Sequence, residues 1–270
     1  MSATLTLLHL SDTHFGSESP AVADALLRLS EQQQPTMAIL SGDITQRARR
    51  AEFAAAARFL QGLAKPVLAL PGNHDIPLFN LPVRLLSPYG PYRRALRQPL
   101  TPTFASDALL VIGVNTTRWF RHKDGEVSPE QIEQVGEQLK QAQPSQLRVV
   151  VTHQPVHVTS PRDQHNLLHG HQEAVRAWSA AGADLILGGH IHLPYVRNLR
   201  EHDTTLPRDT WCVQAGTAVS TRVRFEAPNS VNLIRYQSQN RSGQVERWDY
   251  DSTRKAFALH ETTRLMLAPA

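Results

Sequence analysis

Sulfur is scarce in this chain. Cys212 is the single cysteine among 270 residues, which excludes a disulfide framework and any cluster of thiolate metal ligands. A lone cysteine fits a reducing compartment, and a cytoplasmic location is the expectation. Long apolar runs are also missing: nothing approaches the roughly eighteen residues a spanning helix needs, so no membrane span is expected. The opening MSATLTLLHLSD reaches Asp12 without a basic region and is read as neither a secretory signal nor an anchor. A strong charge of one sign is lacking too. Lys and Arg number 28 against 24 Asp and Glu, a formal net charge of +4. That balance is too weak and dispersed for a specific nucleic-acid partner, but it suits a small anionic substrate. Repeats, linkers and low-complexity tracts are absent, so residues 1–270 are expected to form a single domain.

What remains is an ordinary soluble composition, 41% hydrophobic and 19% charged, in a chain long enough for a sizeable core. Strand-like runs (4–12, 36–43, 65–75, 109–117, 147–155, 183–190) alternate with helical stretches (20–33, 51–63, 128–142, 171–182). From residue 193 to 270 the pattern turns mostly β, with short runs such as TWCVQAG and VNLIRY. The order predicts an α/β fold with helices outside central sheets. Residues 76–103 carry six prolines and no periodicity, which reads as a long loop of functional interest.

The polar residues gather at the C-terminal ends of the predicted strands. The first ends in Asp12-Thr13-His14, the second in Gly42-Asp43 and the third in Gly72-Asn73-His74-Asp75. A later one ends in His153, and the next in Gly189-His190-Ile191-His192. Each alone is weak, because a lone histidine is commonly structural and an Asp after Gly is commonly a turn residue. Five in order, all at the edge where α/β sheets bind ligands, point to one site. Imidazole and oxygen donors without thiolate suit Mn, Fe, Zn or Co. The glycines ahead of His190 are expected to let the backbone turn tightly.

This set resembles the full signature of the calcineurin-like metallophosphoesterases. The resemblance implies a double β-sheet sandwich flanked by helices, a four-layer αββα arrangement. It implies two divalent or mixed-valence metal ions, with Mn, Fe or Zn favoured. One would be held by Asp12, His14, Asp43 and His192, the other by Asp43, Asn73, His153 and His190. His74 would stabilise the transition state or protonate the leaving oxygen, and Asp75 would orient its imidazole. The implied reaction is in-line attack on a phosphodiester by a metal-activated hydroxide. GDITQRA and GNHD depart from the protein-phosphatase pattern, and Gln46 replaces the tyrosine of purple acid phosphatases. The layout looks most like bacterial class III cyclic-nucleotide phosphodiesterases, suggesting a 3',5'-cyclic nucleotide. Gln154 stands where relatives often carry His.

Other readings remain open. A sugar-nucleotide lipid pyrophosphatase would need an apolar groove, as from Leu78 to Leu86, and a phosphomonoesterase would need cationic side chains around the extra charge. A non-catalytic metal-binding scaffold would have lost ligands, and no signature position is degraded. A repair-type nuclease would bring a basic-aromatic tract, which is missing. The motif segments place no Lys or Arg beside the ligands, which favours a diester monoanion. Arg47, Arg49 and Arg50 read as a solvated face. Asn115 and Arg118 are expected near the cleft, Trp119 and Phe120 either packed or stacking on a base or lipid, and His165, His169 and His171 on the rim. Cys212 reads as a core residue. The ending LMLAPA suits docking on the core or on a second subunit, so a homodimer is an open possibility.

Overall fold

The computed structural model describes residues 5–63, 66–224 and 227–268. In chain order its strands are β1 (Leu5–Leu10), β2 (Met37–Leu40), β3 (Val67–Ala69), β4 (Thr103–Ser106), β5 (Leu109–Gly113), β6 (Leu147–Val151), β7 (Leu185–Gly188), β8 (Tyr195–Asn198), β9 (Trp211–Gln214), β10 (Ser230–Gln237), β11 (Ser242–Asp251) and β12 (Ala256–Met266). Its α-helices are α1 (Pro20–Gln33), α2 (Arg50–Gln61), α3 (Leu81–Leu86), α4 (Gly90–Leu96), α5 (Pro129–Lys140) and α6 (His171–Ala180). They build two six-stranded mixed sheets, ordered β12-β11-β10-β1-β2-β3 and β4-β5-β6-β7-β9-β8. β1, β2 and β3 run parallel, as do β5, β6, β7 and β9. The remaining strands pair antiparallel at the sheet margins.

The parallel strands are apolar on both faces because both faces are covered. Leu7, Ile39 and Leu68 of the first sheet meet Val111, Val149 and Leu187 of the second in a core between the sheets. One residue on, the chain faces the other way. Leu8, Leu10 and Leu40 pack outward against Leu26 and Leu29 of α1 and Phe53 and Phe59 of α2. Ile112, Val150 and Ile186 pack outward against Val135 and Leu139 of α5 and Trp178 of α6. The layers are therefore helix, sheet, sheet, helix, the expected four-layer α/β sandwich. Cys212 lies buried on β9, as expected.

Residues 76–103 depart from the expected loop, since they form α3 and α4. Pro82 and Pro91 stand in the first turns of these helices, where the missing N–H leaves no helical bond unmade and the fixed φ suits the helix. β4 and β8 were not legible either; both are four-residue edge strands with too little alternation to signal. At the C-terminus Leu265 is buried and Met266 is 71% exposed; the last two residues of LMLAPA lie outside the described residues. Among the described residues no helix is long and apolar enough to cross a membrane.

Candidate metal centre

The carboxyl ends of β1, β2, β3, β6 and β7 deliver their polar residues to one crevice. His192 Nε2 lies 3.2 Å from Asp12 Oδ1 and 3.3 Å from His14 Nε2. His14 Nε2 is 3.7 Å from both Asp12 Oδ1 and Asp43 Oδ2. On the other side of Asp43, His153 Nε2 lies 3.3 Å from Asp43 Oδ1 and 3.3 Å from Asn73 Oδ1. Three groups could hold a cation, with donor atoms within 4.8 Å of one another: Asp12, His14 and His192; Asp43, His153 and His190; and His14, Asp43 and His74. The structure thus brings together all seven residues expected as ligands, and His74 beside them.

The backbone is forced to make this convergence. Asp12, His14, Asp43, His190 and His192 all adopt positive φ, between 40° and 73°. A left-handed conformation costs a non-glycine residue about 1–3 kcal/mol. The expected role of the glycines before His190 is corrected by this geometry, because the two histidines themselves take the turn. Gly189 is needed for close approach instead: a Cβ there would stand 1.8 Å from Ser11 Oγ and 2.6 Å from Asp12 Oδ2. Gly72 is equally confined, with a Cβ falling 2.1 Å from the Asp43 amide nitrogen.

The hydrogen bonds fix which ring nitrogens face the crevice. His153 Nδ1 donates to the Ser41 carbonyl at 2.8 Å, leaving the Nε2 lone pair toward Asp43 and Asn73. His192 Nδ1 faces the Arg222 carbonyl at 2.5 Å and Thr217 Oγ1 at 2.7 Å, so its Nε2 lone pair also points inward. With these rings neutral, acceptors face acceptors, an arrangement that either a proton on Nε2 or a cation relieves. Among the described residues, Asp12 Oδ1 and both ring nitrogens of His190 are buried without a hydrogen-bond partner. Buried polar groups are normally satisfied, and a cation between them satisfies these. Donors at about 2.1 Å from one metal stand roughly 3.0–3.4 Å apart, close to the spacings observed.

The charges agree. Burial alone would raise the Asp12 carboxyl, but His192, His14 and His153 hold it well below the usual range. Asp43 is likewise buried and is held low, chiefly by His153 and His74. His153 is buried, yet Asp43 pushes its imidazole up to about 9. Burial, then His153, pushes His190 down to about 3. A site this anionic in its carboxylates, with one imidazole kept neutral, is suited to a cation.

Asp75 is a correction. Its oxygens accept from the Ile44, Thr45 and Gly72 amides and from Thr45 Oγ1 at 2.8–3.0 Å. They are spent on locking the second and third motif loops together, not on His74. His74 Nδ1 is held by the Gln46 carbonyl at 3.0 Å, and its amide donates to Asp43 Oδ1 at 2.9 Å.

Three cationic side chains at the cleft, Lys123, Arg222 and Arg224, were not legible in the motifs. Arg222 Nη1 lies 3.2 Å from His74 Nε2, 3.3 Å from Gln46 Oε1 and 3.4 Å from His14 Nδ1. Lys123 lines the cleft over His190 and His192 with Arg222 and Arg224. The motif segments themselves carry no Lys or Arg, as read, but a loop outside them brings Arg222 beside His14 and His74. Arg222 sits in the loop after β9, a parallel strand whose carboxyl end shares the crevice; that placement was the available signal. Gln154 is buried, accepting from Thr116 Oγ1 at 2.6 Å and donating to the Lys123 carbonyl at 3.2 Å, so it anchors the Lys123 loop.

The remaining expectations divide. His165 reaches Lys123 Nζ at 3.4 Å, on the rim. His171 lines a separate cleft with His157 and His202, and the backbone of His169 pairs with Glu126 and Val127. Arg118 is taken up by Gln131 and the Asn115 and Thr117 carbonyls, and the Asn115 side chain by Thr117. Arg49 is exposed, as a solvated face requires. Trp119 and Phe120 are 43% and 60% exposed; their rings meet edge-on with centroids 5.7 Å apart, and the Arg121 guanidinium lies over the Phe120 ring at 5.8 Å.

Comparison with known proteins agrees with the geometry. The chain is 34% identical over 82 residues to the glycerophosphodiester phosphodiesterase GpdQ of Enterobacter lignolyticus, a match spanning 26% of this chain and 30% of that one. A purple acid phosphatase from yellow lupin seeds superposes on 98% of this chain and 54% of its own, with TM-score 0.69 and 11% identity. Vacuolar protein sorting 29 of Cryptosporidium parvum covers 97% and 98% respectively, with TM-score 0.51 and 12% identity. These likenesses establish the fold. The signature of the calcineurin-like phosphoesterases matches residues 5–194, and the chain belongs to that family.

Proposed function

We propose that the protein is a dimetal phosphodiesterase. The observation that carries this reading is the convergence of metal-ligating side chains on both sides of Asp43, with Asp12 Oδ1 and the His190 ring nitrogens buried and unpartnered among the described residues. Asp12, His14 and His192 lie on one side, and Asn73, His153 and His190 on the other. Asp43 is the residue placed to serve both sets. When bound, a metal pair would neutralise phosphoryl charge and lower the pKa of a bound water. Mn, Fe and Zn all suit this donor set.

The chain's own groups supply the rest. His74 is fixed through Nδ1, so Nε2 is the atom that can hold a proton for the leaving oxygen. Arg222 stands beside that nitrogen, and its fork has donors left for a phosphoryl oxygen. Asp75 positions His74 and Gln46 by locking the two loops that carry them. Leaving-oxygen protonation, anion binding and loop alignment are thus carried by three different residues.

A diester is favoured over a monoester by the GpdQ relative, by the absence of an Arg-bearing second motif and by Gln46 in place of a tyrosine. The electrostatic case from missing cations no longer applies, since Arg222 supplies one. Glycerol phosphodiesters and 3',5'-cyclic nucleotides are the two diester classes to compare, the first favoured by the relative's name. The test is kcat/KM on an aryl phosphodiester and on the matching aryl monophosphate, with Mn²⁺ supplied. The diester should be the better substrate; a clear preference for the monoester would refute the diesterase reading and leave the metal centre standing.

A further inference from the structure

Among the described residues nine large apolar side chains are exposed. Six of them, Phe79, Leu81, Leu85, Leu86, Trp119 and Phe120, fall in two segments that touch. Arg84 of α3 donates to the Arg121 carbonyl at 3.0 Å, and Tyr89 donates to the Thr117 carbonyl at 3.0 Å. A seventh, Val223, lines the metal cleft next to Arg222. The patch is continuous with the site. Arg47 lies over the Phe79 ring at 5.6 Å, and its neighbour Gln46 holds His74. Scattered exposed apolar residues need no explanation, but a contiguous cluster beside a catalytic cleft does.

The same surface is basic. Basic side chains stand among the apolar ones: Arg47 over the Phe79 ring at 5.6 Å, Arg121 over the Phe120 ring at 5.8 Å, and Arg84 on α3 itself. Glu126 offsets part of this, being shared by Arg118 and Arg121. A second copy of the chain would set these cations against their own copies, which disfavours a symmetric dimer through this face. A groove for one acyl chain would need half-buried walls, whereas Leu86 is 87% and Phe79 79% exposed. Protruding apolar and aromatic side chains with basic neighbours match the requirements of an anionic lipid surface.

We propose that this face docks the protein peripherally on anionic bilayers, with the α3 and 119–120 side chains entering the headgroup–acyl boundary and the cleft opening at the headgroups. The docking stands on the surface alone. That a phosphodiester borne by an amphiphile is the substrate delivered there rests on the phosphodiesterase reading.

The test uses the full chain with vesicles of phosphatidylcholine and with vesicles of equimolar phosphatidylcholine and phosphatidylglycerol. The protein should sediment with the anionic vesicles, less so as salt is raised, and Trp119 emission should shift to the blue, a shift absent in Trp119→Phe. Leu85→Ser/Leu86→Ser should weaken vesicle binding roughly tenfold or more while hydrolysing a soluble aryl diester at the parent rate. Failure to sediment, equal binding to neutral vesicles, or undiminished binding by the double variant overturns the proposal. So does self-association that the double variant abolishes without any vesicle binding. A parent protein that binds vesicles but hydrolyses no diester keeps the docking and refutes the phosphodiesterase reading instead.

Discussion

Replacing His74 by alanine isolates the proton step. The imidazole is anchored through Nδ1 to the Gln46 carbonyl, and Nε2 faces Arg222. The backbone amide of residue 74, not the side chain, donates to Asp43, so His74→Ala should leave Asp43 in place and metal content unchanged. A positioned acid or base contributes roughly 10²–10⁴-fold, which is about 2.7–5.4 kcal/mol of transition-state stabilisation. The size of the loss should depend on the leaving group. A 4-nitrophenolate departs without a proton, whereas an alkoxide needs one. The assay compares kcat of the parent and His74→Ala on an aryl diester and on an alkyl diester. The alkyl diester should show the larger loss. Equal losses would reassign His74 to charge stabilisation; parent rates on both would show that His74 is only a neighbour of Asn73. Loss of a metal in the variant would place His74 among the ligands.

Arg222→Met removes a cation whose charged hydrogen bonds are worth about 1.5–3 kcal/mol, so kcat/KM on the aryl diester should fall about 10- to 100-fold, and unchanged kinetics would remove Arg222 from the phosphate-binding set. His157 gives a stability measurement away from the metals. Burial, then His202, Arg197 and His171, push its imidazole down to about 4. The folded state therefore favours the neutral ring; its contribution is complete above the ordinary pKa of about 6.5 and is lost as pH falls from there toward 4. His157→Gln should flatten the decline in thermal midpoint over that range, and an identical decline in parent and variant would contradict the assignment.

The fold was legible wherever burial imposed a pattern. β1, β6 and β7 are buried along their whole length and largely apolar because both faces of each sheet are covered, and the motif residues at their ends sit at the crevice beyond the strands. The short edges β4 and β8 lacked that constraint, and in 76–103 the prolines read as loop residues because their first-turn placement shows only in the structure. The residues of the candidate metal centre were readable because each lies within a few residues of a strand's carboxyl end. Arg222 was not, since it approaches from a loop after β9 and its role depends on distances to His14, Gln46 and His74 that no spacing encodes. Asp75 was misread for a related reason: adjacency to His74 suggested a partner, while the chain turns the carboxylate back toward Ile44 and Thr45 instead.

The central claim is a pair of metals sharing Asp43. The most direct measurement is metal content per chain, by elemental analysis after Mn²⁺ loading and removal of free ion, in the parent and in Asp43→Ala. The shared carboxylate requires two ions per parent chain and loss of both in the variant, with circular dichroism confirming that the variant is folded. Two tightly held ions in Asp43→Ala, or no more than one in the parent, would contradict it.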